Sequence, residues 1–432
     1  MREDFISYIW QHKLIAHKNL YTSTGEEVEI LHPGTKNYNS GPDFSAAKIR
    51  VGKTIWAGNI ELHVKASDWK AHFHHEDPAY SNIILHIVYD NDLKHECESK
   101  LNPYPCVELK KHISKELINN YQNLINKKSW IACEYSASKV EPIIISSWLN
   151  RLLVERLERK SEEILHFLKY YNNNWEEVFY YFLAGNFGFK KNKTPFRMLA
   201  QKTPHSLICK HKDMLFQLEA LLFGQSGLLN NEFNDIYPKA LYKEYLFFKQ
   251  KYGLKPIEAK LWKYSRLRPA NFPGIRISQF AMLLNQSGKL FMELIQTNSL
   301  NELREILQVS CSPYWTEHYK FDNNSINRNK NLGEDSINNI VINTVVPFMF
   351  LYGKERMHKS LVDKSIELLS LLPGETNNIT RKWKETGLDI INAYDSQALI
   401  ELKKNYCTSK RCLECQIGHR LISKHSILHH ET

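Results

Sequence analysis

The chain has 432 residues, enough for two or three domains, and its 43% apolar content can fill sizeable cores. Charged residues make up 24%, which excludes wholesale disorder. A net charge of +10 and a pI near 9.0 favour anionic partners such as nucleic acid, although a solvated lysine-rich surface has the same composition.

Residues 3–16 read as an amphipathic helix, with Phe5, Ile9, Trp10 and Leu14 at helical spacing. Its charged start, with no short apolar core, is unlike a signal peptide. Residues 28–31 form a short strand, and Pro33-Gly34 and Ser40-Gly41-Pro42 mark turns. Residues 46–51 and 54–64 alternate around Gly52-Lys53, the pattern of a β-hairpin. Residues 82–89 are apolar and β-branched, a buried strand; 107–109 make another, and 113–127 a helix.

From residue 142 the pattern is helical: 143–171, 175–183, 204–223, 238–252, 277–297 and 300–307, then starts at Ile337, Lys359 and Ile379. Pro204 and Pro238 suit first helical positions. The patch Phe187, Phe189, Lys190, Lys191 and Lys193 reads as a lysine-rich loop, with the composition of a strand-stacking surface as the alternative. Residues 323–335 are polar and read as a loop. The most apolar run, 340–352, contains Pro347 and is too short for a bilayer, so no membrane span and a cytoplasmic location are expected. The expected fold class is α+β: an α/β domain over 1–135, a mainly α-helical domain over 136–400, and a cysteine-rich tail over 401–432.

Chemistry-bearing residues crowd the first third. On the strand Gly58-Asn59-Ile60-Glu61-Leu62-His63-Val64-Lys65, alternation puts Glu61, His63 and Lys65 on one face. Asp43 precedes the partner strand, and a hairpin brings it beside Glu61. Two carboxylates on rigid strands suit Mg²⁺ or Mn²⁺, which prefer hard oxygen ligands and keep positions open for water and phosphate. His63 or Lys65 would then assist water attack. A solvated sheet face gives the same alternation. His72, His74 and Asp77 follow, then His86 within an apolar strand, where a hydrogen-bonded core histidine is the common alternative. Together these histidines also fit a zinc or iron site acting on a small substrate.

Farther on, Arg266, Arg268 and Arg276 lie near prolines and Phe272 before a helix, a pattern suited to phosphate oxygens. Pairing with Glu258 or Glu219 is the alternative. The tail reads Cys407-x4-Cys412-x2-Cys415-x3-His419. With His419 it makes a Cys₃His set for Zn²⁺. The rival is an iron–sulfur cluster with a fourth cysteine from elsewhere, Cys311 or Cys133. A surface helix with free thiols is the third reading.

Leu31-His32-Pro33-Gly34, Gly41-Pro42-Asp43-Phe44, Gly58-Asn59-Ile60-Glu61-Leu62-His63, Ser67-Asp68-Trp69, His72-Phe73-His74 and Leu85-His86 together resemble a bacterial family catalogued as domain of unknown function 2851. Asn186-Phe187-Gly188-Phe189, Glu219 to Gln225, Arg266-Leu267-Arg268-Pro269 and the cysteine tail extend the resemblance over almost the whole chain. It supplies a family but no reaction. More loosely, Pro42-Asp43 and Glu61-x-His63 are similar to the PD-(D/E)xK nuclease pattern. That likeness implies a restriction-endonuclease-like N-terminal domain, Asp43 and Glu61 as Mg²⁺ ligands, and phosphodiester hydrolysis. His63 departs from the lysine of that pattern, which leaves open whether cleavage or only binding remains. Some such nucleases also carry a C-terminal cysteine cluster. The leading expectation is therefore a divalent-metal-dependent nuclease, or a nucleic-acid-binding protein derived from one. In the nuclease reading His72 and His74 join Arg266, Arg268 and Arg276 as substrate contacts; the alternatives are a metallohydrolase in which His63, His72, His74 and His86 with Asp77 bind zinc or iron, or a non-catalytic binding module.

Overall fold

A computed structural model describes residues 1–15, 19–93, 104–229 and 232–423. The protein is mixed α+β, a sheet-rich N-terminal region followed by a mainly helical one. It forms two compact units: Met1–Asn150 with Arg381–Leu388 and Ile400–Thr432, and Arg151–Thr380 with Asp389–Leu399. The cysteine-bearing segment, expected as a separate tail, belongs to the first unit.

The first unit opens with helix α1 (Glu3–Gln11), which buries Phe5, Ile9 and Trp10. A seven-stranded sheet follows: β1 (Leu20–Tyr21), β2 (Glu27–His32), β3 (Thr35–Lys36), β4 (Phe44–Val51), β5 (Thr54–Lys65), β6 (Ile83–Asp90) and β7 (Cys106–Glu108). Its order is β1-β2-β4-β5-β6-β7, with β3 paired to β4. β2, β4 and β5 form an antiparallel meander, and the β4–β5 hairpin closes at Val51↔Thr54 around Gly52-Lys53 as the alternation requires. β6 then pairs parallel to β5, and β7 parallel to β6. A parallel partner needs a crossover. Here it carries the one-turn helix α2 (Asp68–Ala71) and the tight turn Pro78–Tyr80.

Two backbone details set the register near the strand starts. Phe44 pairs with Ile60 but Ala47 pairs with Gly58, so β4 carries one extra residue. Ala46 absorbs the bulge at φ +54°. Gly58 of β5 lies hard against the start of β6, where an added Cβ would stand 2.5 Å from Ile84 Cγ2 and 2.8 Å from the Asn82 carbonyl.

Helix α3 (Lys115–Ile125) is N-capped by Ser114, whose hydroxyl accepts the Leu117 N–H at 3.1 Å. Tyr121 of α3 stacks on Phe5 of α1 with centroids 4.0 Å apart. The closing helix Gln416–Ser423 lies beside α3, with Asn120 Nδ2 donating to the Ile422 carbonyl at 3.3 Å, and Arg420 forks onto Glu141.

The second unit is helical and departs from the sequence reading in instructive places. Residues Phe189–Lys202 form a helix where a lysine-rich loop was expected; its apolar face, with Phe196 and Leu199, is buried while the lysines line the outside. The stretch 204–223 breaks into His205–Cys209 and Leu215–Gln225, and 277–297 into Pro273–Gln286 and Leu290–Gln296 at Ser287-Gly288. A short hairpin, His318–Lys320 with Asn323–Asn324, enters the polar loop. The apolar run lies in a helix over Glu334–Glu355, 22 residues long. By length and composition that suffices to cross a membrane, but 83% of its apolar window is buried inside the protein. A wide turn at Val341–Val345 precedes Pro347 and loosens the helix where proline cannot donate.

Because Gly58 fixes the β4–β5–β6 approach, Gly58→Val is expected to destabilise the first unit by about 1–3 kcal/mol through overpacking. Urea unfolding followed by intrinsic fluorescence measures it; an unchanged midpoint would show that the close approach does not matter.

Candidate metal centres

β5 is buried on both faces along its second half. Ile60 and Leu62 face the apolar core, and on the other face Glu61 is 5% exposed and His63 1%. Asp43, just before the bulged strand β4, is laced to Glu61 through the backbone. The Asp43 N–H donates to Glu61 Oε2 at 3.1 Å, and the Leu62 N–H donates to Asp43 Oδ2 at 3.0 Å. The expected convergence of these two carboxylates is thus present. Burial, and then the negative charge of Asp43, pushes the Glu61 carboxyl up to about 9. Burial also raises Asp43, against the opposing bond from Leu62. Glu3 of α1 adds a further acid nearby; burial, then Asp43, raises it as well.

Imidazoles close over the carboxylates. His63 Nε2 stands 3.8 Å from Glu61 Oε1 and 3.2 Å from His72 Nδ1, and His74 Nε2 stands 3.2 Å from Glu61 Oε1. His63, His72 and His74 each offer a nitrogen, all within 4.8 Å of one another. They grade from buried through half-buried His74 to exposed His72, so the cluster opens to solvent on the side of the crossover. His72 and His74 reach one point because Phe73 between them adopts φ +59°, a sharp turn for a non-glycine residue.

Behind the cluster, His86 sits on β6 directly opposite Glu61 and is fully buried. Its Nε2 lies 2.9 Å from His63 Nδ1, which fixes the His63 ring and aims its other nitrogen at Glu61. Burial, with neighbouring imidazoles next, drives His63 far below its ordinary value, and His86 down to about 3. Tyr80 stacks on His74 at 4.0 Å between centroids. Burial, then the Glu61 and Asp43 charges, raises its hydroxyl to about 12.

Other expected site residues lie elsewhere. Lys65 is exposed at the end of β5, where its backbone N–H is taken by Asp68 Oδ2 at 2.9 Å. Asp77 caps the turn Pro78–Tyr80 by accepting the Ala79 N–H at 2.9 Å. In the second unit Arg266 and Arg268 are exposed in the loop before Pro273–Gln286, as expected. Arg276 is not available to a phosphate: it is 4% exposed, bonded to Gln279 at 3.0 Å, to Ser336 at 2.9 Å and to Asn271, and lies over the Phe189 ring. It faces inward because the first turn of its helix is buried throughout.

A second cluster forms within the same unit. Cys407, Cys412 and Cys415 line a pocket together with Cys133, which lies beyond α3. His419 does not line it. Its Nδ1 is 2.7 Å from Tyr8 Oη and its ring packs beside His12, away from the four thiols. Cys311, the other candidate fourth cysteine, lies in the second unit near the Ile275 carbonyl. Burial, then the neighbouring sulfurs, raises Cys133 and Cys412 each to about 12.

Fold and sites together define an α+β protein whose sheet-bearing unit holds three histidines that could hold a metal ion and four cysteines around one pocket. The model of the family described as protein of unknown function (DUF2851) matches residues 3–378, and the chain belongs to that family. No curated protein and no solved structure matches the chain.

In metal-free protein, Glu61 holds in the fold a proton that the unfolded chain releases. Its contribution is full below the ordinary value of 4.5 and is lost as pH rises toward about 9. For His86 the sign reverses: its contribution is full above 6.5 and is lost as pH falls toward about 3. Metal-stripped protein should therefore lose thermal stability between pH 6.5 and 9, and Glu61→Gln should flatten that limb. Scanning fluorimetry across this range tests it; superimposable curves for the two proteins would contradict the assignment.

Proposed function

We propose that the protein is a metal-dependent hydrolase of phosphodiester bonds in nucleic acid, with its centre at His63, His72, His74 and Glu61 and with Asp43 alongside. The observation that carries this reading is the convergence of three imidazole nitrogens within 4.8 Å of one another beside solvent, with Glu61 Oε1 3.2 Å from His74 and 3.8 Å from His63. The strand arrangement supports the nucleic-acid substrate. A helix, an antiparallel three-stranded meander, a crossover and a parallel strand succeed one another, with Asp43 before the second meander strand and Glu61-x-His63 on the third. That succession resembles the order of a restriction-endonuclease-like core and so supports the reading. The net charge of +10 and exposed Arg266 and Arg268 suit a polyanion.

Three nitrogen donors shift the expected ion from Mg²⁺ toward Mn²⁺, Fe²⁺ or Zn²⁺, because imidazole suits transition metals and magnesium holds to oxygen. Such an ion supplies Lewis-acid polarisation of the phosphoryl group and a better water nucleophile at neutral pH. Glu61 and the imidazoles would hold it, Glu61 as a carboxylate. Asp43, held by the Leu62 N–H, is placed to take a proton from the attacking water. His86 keeps the His63 ring in orientation, and exposed His72 stands where substrate arrives. Lys65 takes no part.

Cleavage of DNA or RNA oligonucleotides with Mn²⁺, Fe²⁺, Zn²⁺ or Mg²⁺ should be strongest with a transition metal. It should fall at least about 100-fold in Glu61→Gln, Asp43→Asn and His74→Ala. Undiminished cleavage in all three variants would refute the site. Hydrolysis of small esters or amides, with no nucleic acid cleaved under any ion, would move the assignment to a small-substrate metallohydrolase.

A further inference from the structure

We propose that Cys133, Cys407, Cys412 and Cys415 ligate a [4Fe–4S] cluster that fastens the C-terminal segment onto the sheet-bearing unit. The site is separate from the histidine centre, and the inference does not rest on the reading of that centre.

The first argument is composition. Four thiols and no imidazole line the cavity, and the rest of its wall is largely apolar, with Leu124, Ala132 and Tyr406. Four cysteine thiolates are the usual ligand set for a [4Fe–4S] cluster, although zinc also accepts four.

Size separates the two. A zinc ion holds its sulfurs at about 2.3 Å, which draws them to about 3.8 Å from one another. Among the described residues, no three of these sulfurs fall within the 4.8 Å span that the histidine nitrogens satisfy. Instead they line one shared pocket that opens to solvent. A cluster spans sulfurs that stand farther apart than a single ion draws them.

The surroundings match a sulfur-rich anion. The Ile417 and Gly418 N–H groups and the Trp148 indole are directed at the Cys415 sulfur. Hydrogen bonds to ligating sulfur stabilise the thiolate and tune a cluster's potential. Position 418 must be glycine, because a Cβ would come within 2.1 Å of the Cys412 carbonyl. Lys403 and Lys410 place positive charge beside the cysteines and also tie the two segments together. Lys403 Nζ donates to the Trp130 carbonyl at 2.9 Å, and Lys410 Nζ to the Lys127 carbonyl at 3.2 Å.

Assembly balances as follows. Two ferrous ions, two ferric ions, four sulfide ions and four cysteine thiols give one cluster bound through four thiolates, with a net charge of two minus, and four protons. No external oxidant or reductant is needed when iron is supplied in both states.

The test is metal and sulfide analysis of the full-length protein, purified without oxygen and also reconstituted with equal ferrous and ferric iron plus sulfide. The expected result is about four iron and four sulfide per chain, with a broad brown absorbance bleached by dithionite. Cys133→Ser should lose at least half of that iron, while His419→Ala and Cys209→Ser keep it. One zinc per chain with no iron before or after reconstitution would overturn the proposal without any variant. Full iron in Cys133→Ser, or its loss in His419→Ala with Cys133→Ser unaffected, would overturn the ligand set. Circular dichroism of each variant separates lost ligation from lost folding.

Discussion

Burial of an ionisable strand face is the constraint on which the sheet-bearing unit turns. β5 is sandwiched between the antiparallel meander and parallel β6, so Glu61 and His63 cannot reach bulk water. A charged carboxylate in such a place is costly, and the low-cost solution without a cation is neutrality. The groups adopt it: Glu61 is pushed up toward protonation while His63 and His86 are pushed down toward deprotonation. In the proposed centre a bound cation would reverse the carboxyl side of this balance and would use the neutral imidazoles as they stand.

Much of this centre could be read from residues 40–90, because strand alternation is a local property. The hairpin around Gly52-Lys53, the pairing of Glu61 with His63, and the placing of Asp43 beside them follow from period-two spacing and turn chemistry. Alternation also put Lys65 on that face, but the strand ends there and the side chain escapes to solvent. The contribution of His72 and His74 hinges on a left-handed Phe73, which no propensity announces.

Longer-range features were less legible. Cys133 meets the tail cysteines across most of the chain, and nothing near residue 133 marks it as different from Cys311. His419 had the right spacing for a ligand but spends its nitrogen on Tyr8. In the helical unit, Phe189–Lys202 was obscured because three lysines crowd its first turns and Pro195 interrupts it, though Phe196 and Leu199 suffice once a core is present to receive them. Arg276 read as a surface cation because sequence cannot show that Asn271, Gln279 and Ser336 meet its guanidinium.

The central claim is that the buried carboxylate and three imidazoles share one cation, and anomalous diffraction from crystals soaked in Mn²⁺ or Zn²⁺ tests it most directly. The account predicts a strong peak bounded by His63 Nε2, His72 Nδ1, His74 Nε2 and Glu61 Oε1, absent from Glu61→Gln crystals treated alike. Peaks confined to the cysteine cavity and the outer surface, with the imidazole cluster unchanged and metal-free at saturating ion, would contradict it.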